Sequence, residues 1–219
     1  HEVPMLSLAN AFSYDELLEF DDKIKKVVPN YTYVVELKID GIASSIHYED
    51  GLLVLGATRG NGVTGENITN NILKVNKLPK VLTDKIDVEV RGEVYMSKDV
   101  FATLNEKRQK EGLPLFANPR NAAGGSLRQL DANITKERKL EQFAYTLVNP
   151  ENYNIHTQAD AMNFMKNLGF NVNPHYRHCQ NIQEVISYIE EYKEKRKTLE
   201  YETDGIVIKA NEMDLPNII

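Results

Sequence analysis

The sequence predicts an α+β protein with antiparallel sheets flanked by helices. Three observations predict it. Several segments alternate apolar and polar residues as strands do, and others carry capped helical spacing. One pair of strand patterns is joined by a tight turn, which requires antiparallel neighbours. The two kinds of segment are mixed without the strict alternation of a doubly wound parallel sheet.

Ser13-Tyr14-Asp15-Glu16 is a capping-box pattern, and Leu17, Phe20, Ile24 and Val27 follow it at helical spacing. Strands are expected over 31–39, 43–48 and 52–58, with Glu49-Asp50-Gly51 closing the last two into a hairpin. A short helix is expected within 64–75. Over 88–95, Val88, Val90 and Val94 fall on one side and Glu89, Arg91 and Glu93 on the other. A helix spans 97–111. The stretch 112–131 is rich in Gly, Asn, Pro and Ala with weak periodicity, and reads as a structured loop. Phe143, Tyr145 and Leu147 alternate on a further strand. Capped amphipathic helices follow, one over 157–168 with Asp160 in its first turn and one after Asn181 with Glu184 there. A strand over 205–210 ends the readable pattern.

The 219 residues, 42% of them hydrophobic, suffice for one large domain or two small ones. A net charge of −6 argues against an autonomous nucleic-acid clamp, which needs a basic face for phosphates. Cys179 is the only cysteine, which excludes an intrachain disulfide and a multi-cysteine zinc site. No apolar run is long enough to span a bilayer, and no signal-peptide pattern opens the chain. A soluble, cytoplasmic monomer is expected. Both ends read as cut, so one domain over 1–219, truncated at each end, is expected.

The run Tyr33-Val34-Val35-Glu36-Leu37-Lys38-Ile39-Asp40-Gly41 sets a lysine between two carboxylates, directly before a glycine. On a strand, Glu36, Lys38 and Asp40 share a face. A lysine in a concave site can act as a covalent nucleophile once its amine has lost a proton. Taken alone, such a run is more often a solvated strand edge. Thr58-Arg59-Gly60-Asn61-Gly62-Val63-Thr64-Gly65-Glu66 places an arginine ahead of three glycines, which suits either a phosphate cradle or a plain turn. Arg91-Gly92-Glu93 is a weaker signal. Residues 116–130 hold Arg120 and Arg128 among small residues, which suits phosphate contacts. Asp204-Gly205-Ile206-Val207-Ile208-Lys209 repeats the texture of the first run. Strict alternation puts Asp204 and Lys209 on opposite faces, so a bend at Gly205 is required. His47, His156, His175 and His178 lack metal-ligand spacing, and the charged run 190–197 reads as a solvated helix face.

In this order the motifs resemble the covalent nucleotidyltransferases: DNA ligases, RNA ligases and messenger-RNA capping enzymes. Pro4-Met5-Leu6-Ser7-Leu8, Asn10-Ala11-Phe12, the arginine-glycine turn and the phrase from Asn118-Pro119-Arg120-Asn121 to Leu130-Asp131 resemble the bacterial NAD-dependent DNA ligases in particular. The likeness runs from the first residue to about Asn211 and implies a nucleotidyltransferase-type fold. It departs at Asn61, Asn67 and Gly124, none of which carries a chemical role.

The resemblance implies that Lys38 attacks the α-phosphate of NAD, forming lysyl-AMP and expelling nicotinamide mononucleotide. The longer enzyme would then adenylate the 5′-phosphate of a nick in duplex DNA, and the 3′-hydroxyl would seal it. Glu36 would contact adenine and Glu93 the ribose. Ser7 and Leu8 would line the adenosine site, with Tyr145 and Val207 against the purine faces. Arg59, Lys209, Arg120 and Arg128 would act around phosphates of nucleotide or DNA. Asp40 and Asp204 would help place Lys38, and Glu93 and Asp204 would hold Mg2+, directly or through water. The family also implies an upstream segment for the nicotinamide half, a further lysine beyond Lys209, and downstream modules that include a four-cysteine Zn2+ site, none of them in this sequence. An ATP- or GTP-using ligase or capping domain, and a non-catalytic nucleotide-binding module, remain as alternatives. The first leaves 4–12 and 118–131 without a reason. The second leaves Lys38, Glu93, Asp204 and Lys209 without one.

Overall fold

The computed structural model describes residues 5–8, 13–59 and 65–213, the first stretch as backbone alone. The chain runs through β1 (Met5–Leu8), α1 (Tyr14–Lys25), β2 (Tyr33–Ile39), β3 (Ile42–Glu49), β4 (Leu52–Thr58), α2 (Thr69–Ile72) and β5 (Val88–Tyr95). It continues with α3 (Lys98–Lys110), α4 (Pro119–Leu127), α5 (Ala132–Glu137) and β6 (Glu141–Leu147). Last come α6 (Gln158–Leu168), β7 (Arg177–Cys179), α7 (Ile182–Lys195) and β8 (Thr203–Ala210). Among the described residues the strands form two four-stranded sheets, ordered β1-β8-β2-β7 and β4-β3-β5-β6. Every neighbouring pair is antiparallel. The α+β expectation therefore holds.

Local chemistry explains most boundaries. Ser13, Ser97, Thr157 and Asn181 each accept a backbone N–H three residues on, starting α1, α3, α6 and α7. Helix α1 stops at Lys25, so Val27, expected on its apolar face, lies beyond it and is 52% exposed. The hairpin forms with Asp50 and Gly51 as its two-residue loop between Glu49 and Leu52. The helix expected within 64–75 shortens to α2, and 60–64 lie outside the described residues.

The expectation of a loop over 112–131 is corrected. Helix α4 occupies 119–127, opened by Asn118, whose side chain accepts from Asn121 N at 2.8 Å, with Pro119 in the first turn. Its Ala and Gly residues carry no apolar stripe of ordinary width, which hid the period. Those small residues let the helix lie close against the second sheet, with Ala122 and Ala123 fully buried. Arg120 thus projects from a helix, and Arg128 caps its end. Strands β1 and β7, each of four residues or fewer, and helix α5 were not legible either.

Each sheet has its own core. The second sheet packs Ile46, Val90, Val94 and Ala144 against Ile72, Ala122, Leu127, Met162 and Met165 from α2, α4 and α6. The first packs Tyr33, Val35 and Ile208 against Leu17 and Ile24 of α1 and Val185 and Tyr188 of α7. Burial pushes the Asp21 carboxyl up, but donors from Tyr31 and Tyr33 and the Lys25 ammonium outweigh it and hold it below the ordinary range. That buried cluster fixes α1 on the sheet. Tyr95 and Phe143 of the second sheet stack at 5.0 Å and share a cluster with Leu37 and Ile39 of β2, joining the two layers.

Candidate active site

The site forms where β2 and β8 of one sheet meet β5 and β6 of the other. On β2, Val35, Leu37 and Ile39 enter the core, so Glu36, Lys38 and Asp40 face the other way, as alternation predicts. Across β8 the pairing shifts from Leu37↔Ile206 to Ile39↔Thr203, so Lys38 alone opposes Asp204 and Gly205. This is a β-bulge, and such bulges re-aim side chains. Gly205 carries it at φ 145°, in a region that L side chains rarely adopt. The bend that the sequence required is therefore present, and it brings Asp204 within electrostatic reach of Lys38, Asp40 and Arg120.

The inner half of the site is desolvated. Glu36, Lys209 and Gln158 are 6%, 9% and 4% exposed. Lys209 Nζ lies 3.1 Å from Glu36 Oε2 and 5.4 Å from the centre of the Tyr145 ring. Gln158 Nε2 donates to Glu36 Oε2 at 3.1 Å and to the Tyr145 carbonyl at 3.0 Å. A buried ion pair of this kind is retained only with added hydrogen bonds, which Gln158 supplies. Val207 sits opposite Glu36 in the ladder.

Glu93, on β5, accepts from the Tyr145 hydroxyl at 2.9 Å. Burial pushes its carboxyl up to about 7, against the opposing pull of the Tyr145 hydrogen bond and the Arg120 charge. Asp204 and Asp40 add to the rise. Burial and the Glu93 charge likewise push the Tyr145 phenol well above its ordinary value. Gly92 precedes Glu93 because the strands crowd there: a Cβ would run into the Phe143 carbonyl and the Gln142 amide.

The outer half is open. Asp204 is exposed, its carboxyl raised mainly by partial burial and lowered by Lys38. Arg120 Nη1 lies 3.9 Å from Asp40 Oδ1. Arg59 directly follows β4, its backbone N–H bonded to Ala43 O at 2.7 Å, and its charge reaches Tyr145. Arg128 stands apart, 70% exposed and 3.8 Å from Glu66. Ser7 and Leu8 pair with Val207 and Ile206 through backbone, beside the site, and their side chains are outside the described residues. So are Pro4, Asn10 to Phe12 and the glycine turn 60–64.

The structure thus brings together Glu36, Lys38, Asp40, Glu93, Arg120, Tyr145, Asp204 and Lys209. It adds Gln158, which no sequence signal marked, since a Gln after an N-cap Thr reads as surface. Among the described residues no three His, Cys, Asp or Glu form a metal cage. The donors that the site does offer are carboxylate oxygens, which suit a hard dication held by one or two carboxylates, phosphate and water. The helix carrying 190–197 is a salt-bridged surface, with Lys193–Glu190, Lys195–Glu191 and Lys197–Glu194 pairs. No described helix is long and apolar enough to cross a membrane.

Known proteins are similar to this chain. Curated relatives named DNA ligase from Thermotoga maritima and Anoxybacillus flavithermus are 50% and 51% identical to it, over 100% and 96% of its length. One from Bacillus thuringiensis is 48% identical over 98%. The chain spans about a third of these relatives, 31–32% of their length. All of residues 1–219 match the model of the NAD-dependent DNA ligase adenylation domain, and with the lysine, carboxylates and aromatic wall assembled as above, the chain belongs to that family.

Proposed function

We propose that Lys38 is the nucleophile of a self-adenylating site that uses NAD. The observation that carries this reading is the bulge, which sets Lys38 against Asp204, next along β2 and β8 from the paired Glu36 and Lys209 and the Tyr145 ring. The Lys38 amine forms a bond to the α-phosphorus, and the bond to the phosphate of nicotinamide mononucleotide breaks, its electron pair leaving with that group. The amine must be neutral to attack; Asp40 and Asp204 would help place it, and the proton it gives up passes to solvent. Phosphoryl-type transfer asks chiefly for alignment and charge stabilisation. Arg120 and Arg59 would meet the phosphates, and Tyr145 and Val207 would offer apolar faces to the purine. Glu36 is the acceptor for its amino group, and Glu93 for the ribose. Glu93 and Asp204 would hold Mg2+, which neutralises phosphate charge when bound. In the longer protein, the adenylate then passes to the 5′-phosphate of nicked duplex DNA, with Arg128 on the DNA side, and the 3′-hydroxyl closes the break. The reading fits a cytoplasmic enzyme acting as a monomer.

Intact-mass measurement of the longer protein after incubation with NAD and Mg2+, followed by peptide mapping, tests this. An AMP adduct on Lys38 is expected. An adduct elsewhere, or none with NAD but one with ATP, overturns the reading. The 219-residue chain itself is expected to bind AMP but to self-adenylate slowly from NAD, since binding energy from remote parts of a substrate aligns its reacting centre.

A further inference from the structure

We propose that Gln158 is the positioning residue that gives this site its preference for a 6-amino purine. The inference rests on the reading of Glu36 as the purine acceptor. Gln158 is 4% exposed and opens α6 right after the N-cap Thr157. Its amide group carries two N–H donors and one acceptor. Both nearby partners, Glu36 Oε2 and the Tyr145 carbonyl, only accept, at 3.1 and 3.0 Å. The reversed amide would aim its oxygen at a carboxylate and a carbonyl, so the environment fixes one orientation.

The consequence falls on Glu36. Its Oε2 is taken by Lys209 and Gln158 together, while among the described residues Oε1 has no partner. A carboxylate pinned through one oxygen presents the other as a fixed acceptor. The amino group at C6 of adenine satisfies it, whereas the 6-oxo group of hypoxanthine or guanine puts acceptor against acceptor. A site that hydrogen-bonds one group rejects analogues that leave its buried polar atoms unpaired. The same Gln158 amide ties the carboxylate to the backbone of Tyr145, the residue whose ring faces the purine. One side chain therefore sets the edge-reader and the stacking wall in register.

Gln158 is itself anchored. Its backbone N–H bonds to Asn211 O at 2.7 Å, and Ala159 N–H to Asn211 Oδ1 at 2.9 Å. Asn211 N–H in turn bonds to Thr32 O at 2.8 Å, at the start of the strand that carries Glu36. The N-terminus of α6 is thus fastened to both strands of the site, beyond the reach of the core packing on its other face.

The test compares AMP and IMP binding to the 219-residue chain by calorimetry, alongside thermal melts. Wild type is expected to prefer AMP. Gln158→Met keeps the volume without the donors and should lose roughly tenfold or more of that preference, with Tyr145 stacking keeping residual affinity for both nucleotides. Gln158→Asn shortens the reach by about one methylene, cannot span both acceptors, and should lose part of the preference; it serves if the Met variant fails to fold. A purely structural role predicts lower melting temperatures with the AMP/IMP ratio unchanged, and that result overturns the proposal. If wild type binds neither nucleotide, it is the nucleotide-site reading that falls.

Discussion

The two halves of the site are built on opposite principles. At the inner end Glu36, Lys209 and Gln158 are buried and Tyr145 and Glu93 half-buried, and the five are tied to one another by hydrogen bonds and an ion pair. At the outer end Asp204 and Arg120 are exposed, and the Arg120–Asp40 contact is long, at 3.9 Å. The inner end is pre-organised and so loses little freedom when a ligand binds. The outer end keeps its charges in water, where they remain available to phosphates and to an ion.

Substitutions at four positions would break or sharpen that contrast. The largest effect is expected at the outer end. Lys38→Ala in the longer protein should abolish the AMP adduct seen by intact mass, and Lys38→Arg should do no better, because a guanidinium stays protonated. A non-catalytic binding module would show no adduct to lose and unchanged AMP affinity.

The next effect is a pH dependence at the inner end. Glu93 is raised from 4.5 to about 7, so the folded state holds a proton that the unfolded chain releases earlier. Its contribution to stability is present below its unfolded value and lost as pH rises through about 7, amounting to on the order of 3 kcal/mol. Melting curves from about pH 5 to about pH 8 should fall less steeply for Glu93→Gln than for wild type. Parallel curves would mean that Glu93 is better hydrated than its surroundings imply.

Third, Tyr145→Ala removes the aromatic wall. Stacking of a base on an aromatic ring is worth about 1–3 kcal/mol, so AMP affinity should drop roughly tenfold or more. Tyr145→Phe keeps the ring and takes away the donor to Glu93, so it should retain most affinity while raising the Glu93 carboxyl further. Equal losses in both variants would shift the weight from stacking to the hydroxyl.

The smallest effect is expected at Arg128. Its exposed pair with Glu66 is worth less than about 1 kcal/mol, so Arg128→Ala should melt like wild type. In the longer protein it should lower the salt slope of nicked-DNA binding by about 1. The 219-residue chain, with its net charge of −6, should bind nicked duplex only weakly near physiological salt. Tight binding with a steep slope in a titration across salt would reveal a basic face beyond Arg59, Arg120 and Arg128.

Where a residue's environment is local, the sequence was sufficient. The period-two pattern of 33–40 put Lys38 and its two carboxylates on one face, and the caps at Ser13, Ser97, Thr157 and Asn181 placed four helices. Period and capping depend on neighbours a few residues away, so they are written in the order of the residues. The order of the motifs identified the family for the same reason.

Tertiary structure decided what depends on distant chain. Helix α4 buries its Ala face against the second sheet, a packing partner that no window of 112–131 contains. Asp204 faces Lys38 through a bulge between strands more than a hundred residues apart in sequence, although the need for a bend at Gly205 could be read beforehand. Gln158 became part of the site only when α6 was fastened to Asn211 and so brought beside Glu36. A side chain's polarity is fixed by its sequence, but whether it is a surface amide or the clamp of a buried carboxylate depends on which acceptors folding brings within about 3 Å.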